Sequence, residues 1–257
     1  MLAASGIDAR EARLMLAEVA GFSQAALAAS PEAAVPFEVE DAFLAFARRR
    51  RAGEPVAYIL GRREFYSLEF SVNPAVLIPR PETELLVDLA LERRPASVLD
   101  LGTGSGAVAL AIKRHLPGAR VVAVEASAAA LAVANRNAVK LNLEVEFRHG
   151  RWFEPVAGER FDLVVSNPPY VAEGDPHLPG LQHEPAVALV SGPDGLDAIR
   201  EITSVAGLFI EPGGWLLLEH GQGQDSAVRG LLEHAGLESA RTWPDLAGIG
   251  RVSGGMR

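Results

Sequence analysis

Hydrophobic positions recur along this chain with two different periods. Up to about residue 53 the spacing is helical. Ile7, Leu14, Leu16 and Val19 form one stripe, with Asp8 placed as an N-cap and Gly21 as the stop. Ser23 to Ala29 predicts a short second helix, ended by Ser30-Pro31. Phe37 to Arg51 predicts a third, with Phe43, Leu44 and Phe46 turned inward. Four arginines, Arg48 to Arg51, close it at the end where the helix dipole favours positive charge. They read as a solvated helix end ahead of a contact to RNA or to an acidic partner. The first helix begins abruptly, so the true start of the protein is expected upstream.

Beyond Gly61 the pattern changes. Glu64 to Val72 alternates, Asn73-Pro74 breaks it, and Val76-Leu77-Ile78 follows, which predicts a small strand pair. Pro79 to Glu84 opens a helix running to about Arg94, with Pro81 suited to its first position. From Ser97 short apolar runs alternate with helical stripes. Strands are expected at 97–101, 120–125, 144–149, 161–166 and 214–219, with helices at 107–115, 127–141, 194–210 and 225–234. Two closing strands are expected at 237–242 and 249–253. Strands alternating with helices imply an α/β fold, a parallel sheet with right-handed crossovers and helices on both faces. The expected organisation is a helical domain over 1–60, a β-hairpin connector over 61–80, and an α/β domain over 81–257.

Composition narrows the class. The chain has 257 residues, 49% hydrophobic and 22% charged, an ordinary globular balance. It has no cysteine, so neither a disulfide framework nor a thiolate metal site is available. A net charge of −9 argues against a broad nucleic-acid footprint, which needs a basic face. No apolar run reaches membrane-spanning length, and a cytoplasmic, monomeric protein without direct nucleic-acid binding is expected. No His/Asp/Glu set has metal-ligand spacing, so no metal is expected.

Two loops carry candidate chemistry. Gly102-Thr103-Gly104-Ser105-Gly106 joins a strand to a helix, where glycines permit a tight turn and close backbone approach to a ligand. Glu125 ends the next strand, where a carboxylate meets ribose hydroxyls. With Ala107 the loop also fits a loose dinucleotide fingerprint, so it implies a nucleotide-like cofactor without naming it. Asn167-Pro168-Pro169-Tyr170 ends the strand 161–166. Its prolines make a stiff loop. The Asn167 side-chain oxygen and the Pro168 carbonyl can accept from both hydrogens of an NH₂ group, and Tyr170 can lie against a flat target. Hydride transfer has no need of two such acceptors; methyl transfer from a sulfonium to nitrogen does. His220, after Glu219, reads as a satisfied turn histidine rather than a base. Asp100 and Asp162 read as structural, and His183 and Glu184 as part of a lid or of a plain surface loop.

The glycine loop, the acid after the second strand and the Asn-Pro-Pro-Tyr loop resemble those of S-adenosylmethionine-dependent amino-methyltransferases. Further blocks narrow the match: Glu54 to Ile59, Arg63 to Leu68, Leu77 to Glu84, Val165 to Tyr170 and Leu218 to Gly221. Together, and in this order, they resemble the HemK/PrmC peptide chain release factor glutamine methyltransferases over nearly the whole chain. The resemblance implies a Rossmann-like, seven-stranded class I methyltransferase sheet behind a small helical substrate-recognition domain. It implies S-adenosylmethionine as cofactor, S-adenosylhomocysteine as product and class I release factors as partners, methylated on the glutamine of their Gly-Gly-Gln loop. Gly102, Thr103, Gly104, Ser105 and Gly106 would line the cofactor's amino-acid end, Glu125 would hold its ribose and Trp152 would pack near the adenine. Asn167, Pro168, Pro169 and Tyr170 would hold the glutamine, with Asn167 also beside the cofactor. The family often has aspartate where Glu125 stands; one more methylene still reaches a ribose. A nucleic-acid adenine or cytosine amino-methyltransferase shares the same loop logic, and a noncatalytic nucleotide-binding module is the alternative from another class.

Overall fold

The structure, a computed structural model, describes residues 6–29 and 35–257. Contacts divide the chain into two compact units, Met1–Arg62 and Arg63–Arg257.

In the first unit, helix α1 (Ala9–Ala20) starts where expected. The Asp8 carboxylate accepts from the Arg10 and Glu11 amides, and Gly21 ends the helix in the left-handed conformation. Helix α2 (Gln24–Ala29) follows; Ser30 and Pro31 lie outside the described residues. Helix α3 (Phe37–Arg51) and a short helix α4 (Val56–Leu60) complete the unit. Ala12, Met15, Leu16, Phe43 and Ile59 form its core, with Phe46 packed against it. Leu44 is exposed, contrary to the expected inward face. Ala47, one turn after Phe43, takes that place instead, because i and i+4 share a helix face. The arginine run is not simply solvated: Arg49 pairs with Glu54 at 2.6 Å and Arg50 with Glu11 at 2.7 Å.

The alternating stretch is not one strand but a hairpin, β1 (Arg62–Phe65) and β2 (Leu68–Ser71), and Val76 to Ile78 forms no strand. Its turn places Tyr66 and Ser67 at φ 51° and 59°, a geometry that normally calls for Asn-Gly. Tertiary anchors offset that strain: the Tyr66 amide donates to Glu84 Oε1 at 2.8 Å and its hydroxyl to Asp88 Oδ1 at 2.6 Å.

The second unit is built on a seven-stranded sheet. Its strands are β3 (Ser97–Leu101), β4 (Arg120–Glu125), β5 (Glu146–His149), β6 (Phe161–Ser166), β7 (Ile210–Glu219), β8 (Glu238–Pro244) and β9 (Gly250–Met256). The spatial order is β5-β4-β3-β6-β7-β9-β8, and β9 runs antiparallel to both its neighbours. Helices α5 (Glu84–Glu92), α6 (Ala107–His115), α7 (Ala128–Leu141), α8 (Asp197–Ala206) and α9 (Asp225–His234) connect the strands. Successive strand residues point to opposite faces, so each strand feeds two cores. Val98, Val121, Leu163 and Leu217 pack with α5 and α6, while Leu99, Val122, Val164 and Leu216 pack with α8 and α9. This double burial is why the inner strands read as continuous apolar runs. Asp162 holds the start of β3, accepting from the Ala96 and Ser97 amides at 2.9 and 2.8 Å, the structural role expected for it.

Candidate active site

The strand order reverses between β3 and β6, and in open α/β sheets a crevice forms at the carboxyl ends of strands at such a point. Leu101 and Ser166 are paired there, and Ser166 Oγ donates to the Leu101 carbonyl at 2.7 Å. The next residues along the two strands are Gly102 and Asn167. The glycine loop and the Asn-Pro-Pro-Tyr loop therefore open side by side onto one cavity of about 610 Å³. That volume lies within the ~300–1,000 Å³ typical of small-molecule sites.

The glycine loop is folded back on β4. Gly102 and Thr103 both donate to the Val124 carbonyl, at 2.9 and 3.1 Å. Gly102 sits at φ +70°, a conformation that favours glycine, and a Cβ there would stand 3.3 Å from the Trp152 indole. Glu125 Oε2 accepts from the Gly104 amide at 2.9 Å and Oε1 from the Ser127 amide at 2.8 Å, so the carboxylate clamps the loop while keeping lone pairs free. Gly102, Thr103, Gly104, Ser105, Glu125 and Trp152 all line the cavity. Gly106 does not; at φ +82° it starts α6, where a Cβ would stand 3.0 Å from Leu110.

Asn167 and Pro169 line the cavity; Pro168 and Tyr170 are not among its lining residues. Asn167 Nδ2 donates to Thr83 Oγ1 at 3.1 Å. Neither Asn167 Oδ1 nor the Pro168 carbonyl takes a hydrogen bond from the described residues. Tyr170 packs beside Gly221 and its hydroxyl donates to Glu219 Oε1 at 3.3 Å; burial, then the Glu219 charge, raise its pKa. Gln224 holds the loop from behind, its Nε2 donating to the Tyr170 carbonyl at 3.0 Å.

Several residues of the site were not legible in the sequence as site residues. Asp100 lines the cavity, fully buried, with Thr103 Oγ1 donating to it at 2.6 Å. Burial raises its pKa to about 7, against the pull of that bond. Arg80 and Thr83 also line the cavity, although the local pattern of the Pro79 to Glu84 block that carries them predicts a helix start. Glu184 is not plain surface. It is buried, accepts from the Ile78 amide at 3.0 Å and pairs with Arg80. His183, half-buried, does not line the cavity. His220 is fully buried, with Nε2 against Ser253 Oγ at 2.8 Å and Nδ1 against the Gly221 carbonyl at 3.0 Å, a satisfied histidine. Among the described residues no His/Asp/Glu group is placed to hold a metal, and no helix is long and apolar enough to cross a membrane.

Comparison with known proteins agrees with this architecture. Residues 1–61 match the PrmC N-terminal domain, and residues 81–182 match the methyltransferase small domain. The chain is 47% identical over 268 residues to the release factor glutamine methyltransferase of Burkholderia pseudomallei, covering 99% of this chain and 94% of that protein. It is 52% identical over 222 residues to the release factor glutamine methyltransferase of Xylella fastidiosa strain Temecula1, covering 84% of this chain and 81% of that one. The fold matches a crystal structure of a methyltransferase from Pyrococcus furiosus with a TM-score of 0.59 at 18% identity, covering 81% and 96% of the two chains. With this identity held over nearly the full length, the chain belongs to the release factor glutamine methyltransferase family.

Proposed function

We propose that this chain methylates the side-chain amide nitrogen of the glutamine in the Gly-Gly-Gln loop of class I peptide chain release factors, using S-adenosylmethionine. The residues present suit that cofactor. Gly102 to Ser105 offer backbone at close range, Glu125 offers acceptors for vicinal hydroxyls, Asp100 offers a buried carboxylate to a cationic amino group, and Trp152 offers an aromatic wall. When bound, the cofactor would supply a sulfonium methyl, whose carbon the nitrogen lone pair attacks as the sulfur leaves as a neutral thioether.

The protein's own task is to hold the nitrogen. An amide nitrogen is a poor nucleophile because its lone pair is delocalised. Asn167 Oδ1 and the Pro168 carbonyl each take one hydrogen of the glutamine NH₂, which fixes the plane of the amide and stabilises the positive character the nitrogen gains. The prolines keep both acceptors in place before the substrate arrives, so positioning carries most of the effect. The proton lost from nitrogen leaves late and goes to solvent, so no strongly basic side chain is required. The helical unit supplies docking surface for the release factor, binding energy that positions the glutamine. The enzyme acts as a monomer in the cytoplasm, without direct nucleic-acid contact.

The observation that carries this is the unengaged Asn167 oxygen on the same cavity as the glycine loop. The test is incubation with labelled S-adenosylmethionine and, separately, intact release factor, its Gln→Ala variant, DNA and RNA, followed by mass spectrometry of the Gly-Gly-Gln peptide. One methyl on intact release factor and none on the variant is the expected result. Methyl uptake by nucleic acid alone replaces this reaction with base methylation. Cofactor binding with no transfer to any substrate leaves a binding module.

A further inference from the structure

An asparagine amide is ambiguous. Rotated by half a turn about its last torsion, it presents an NH₂ where it had presented an oxygen. A site that needs Asn167 Oδ1 toward the substrate must therefore set that rotation from behind. Thr83 does so only in part. Its Oγ1 receives the Asn167 Nδ2 hydrogen at 3.1 Å, yet a hydroxyl can donate as readily as it accepts. What Thr83 does toward Asn167 depends on which group takes the Thr83 hydrogen.

Beside Thr83 stands Glu219, the last residue of β7 and 136 positions away in sequence. It is buried, outside the cavity wall. Tyr170 donates to its Oε1 at 3.3 Å, its Oε2 is buried without a hydrogen bond, and the neighbouring Thr83 hydroxyl favours its charged form. An ionised carboxylate only accepts. We propose that Glu219 is a positioning residue for methyl transfer: by taking the hydrogens of Thr83 and Tyr170 it makes Thr83 an acceptor toward Asn167 Nδ2, and so keeps Asn167 Oδ1 turned to the substrate amide. This assignment rests on the reaction proposed above.

A pH dependence follows. Burial raises Glu219 to about 7; Thr83, Tyr170 and Arg251 pull against that rise, and Glu82 adds to it. Arg80 bears on the Tyr170 side of the cluster. Once protonated, Glu219 has a hydrogen of its own to give. Thr83 then accepts it and turns its hydrogen toward Asn167, which favours the flipped amide. Turnover therefore falls as pH drops through about 7. His220, the next residue, faces Ser253 and the Gly221 carbonyl rather than this cluster.

The test is kcat and KM for intact release factor from pH 6 to 9, in the wild type and in Glu219→Gln, Thr83→Val and Thr83→Ser, with calorimetry of S-adenosylhomocysteine. Glu219→Gln should lower kcat about tenfold or more, by analogy with loss of an oriented acceptor. It should also abolish the acid limb of kcat at saturating S-adenosylmethionine, where titration of Asp100 at the cofactor does not show, while leaving KM and cofactor-product affinity nearly unchanged. Thr83→Val should lower kcat similarly, and Thr83→Ser should recover most of it. Wild-type kcat and an intact acid limb in Glu219→Gln overturn the assignment, as does Thr83→Val matching Thr83→Ser. If Glu219→Gln does not fold, the Thr83 pair decides. A wild type inactive on release factor sinks the reaction and this assignment together, whereas an active wild type with indifferent variants sinks the assignment alone.

Discussion

Glu125→Ala separates two jobs that one carboxylate performs. Its oxygens accept from the Gly104 and Ser127 amides at 2.9 and 2.8 Å, which holds the glycine loop, and each keeps a lone pair for a ribose hydroxyl. Hydrogen bonds to a charged group are worth about 1.5–3 kcal/mol. Losing the ribose contact should therefore weaken S-adenosylhomocysteine binding about tenfold to a hundredfold. Loosening the loop adds to that loss, so affinity alone does not isolate the hydroxyl contact. A ligand without ribose hydroxyls does, because it completes a double-mutant cycle. Calorimetry should be run on wild type and variant with S-adenosylhomocysteine and with its 2′,3′-dideoxy analogue. The penalty of the substitution should shrink by about tenfold or more with the analogue, the share assigned to the charged hydrogen bonds. Equal penalties for both ligands would reduce Glu125 to a loop clamp. Unchanged binding by a folded variant would remove it from the cofactor site.

Asn167→Ala should lower kcat by on the order of 10²-fold or more and leave S-adenosylhomocysteine affinity nearly intact, as single-turnover kinetics and calorimetry would show; wild-type turnover removes Asn167 from the mechanism. Asp100 has a pKa raised by burial to about 7, above its unfolded value, so its contribution to stability is full below about pH 4 and is lost as pH rises through 7. Urea unfolding of the ligand-free protein between pH 5.5 and 8 should show that loss, and Asp100→Asn should flatten the slope; an identical slope refutes the assignment. Glu184→Ala leaves the Ile78 amide without its acceptor and Arg80 without its partner, a cost of about 1–3 kcal/mol in unfolding free energy; no change in the urea midpoint would contradict the anchoring role. His220→Ala should lower the melting temperature while leaving kcat within about threefold, since a buried, satisfied histidine contributes to packing and hydrogen bonding; a large fall in kcat would make it part of the chemistry.

The sequence determined what depends on near neighbours. The Asp8 and Gly21 caps and the bounds of α3, α6, β3, β4 and β6 follow from local propensity and periodicity, which act within a turn or a pleat. The glycine loop and the Asn-Pro-Pro-Tyr loop were legible because their conformations come from missing side chains and locked φ angles. Only the tertiary structure decided the rest. The Tyr66-Ser67 turn carries no local signal, because anchors on α5 stabilise it. Leu44 lost its expected place in the core to Ala47, since the partner helices, not the hydropathy of one residue, choose the buried face. Asp100 looked structural until the sheet brought it onto the cavity wall, where burial sets its charge. The cluster of Thr83, Asn167, Tyr170 and Glu219 joins an α5 approach, a β6 loop and the end of β7. No spacing along the chain encodes such a cluster, because the parallel sheet, with its long crossovers, brings distant strand ends together at one edge.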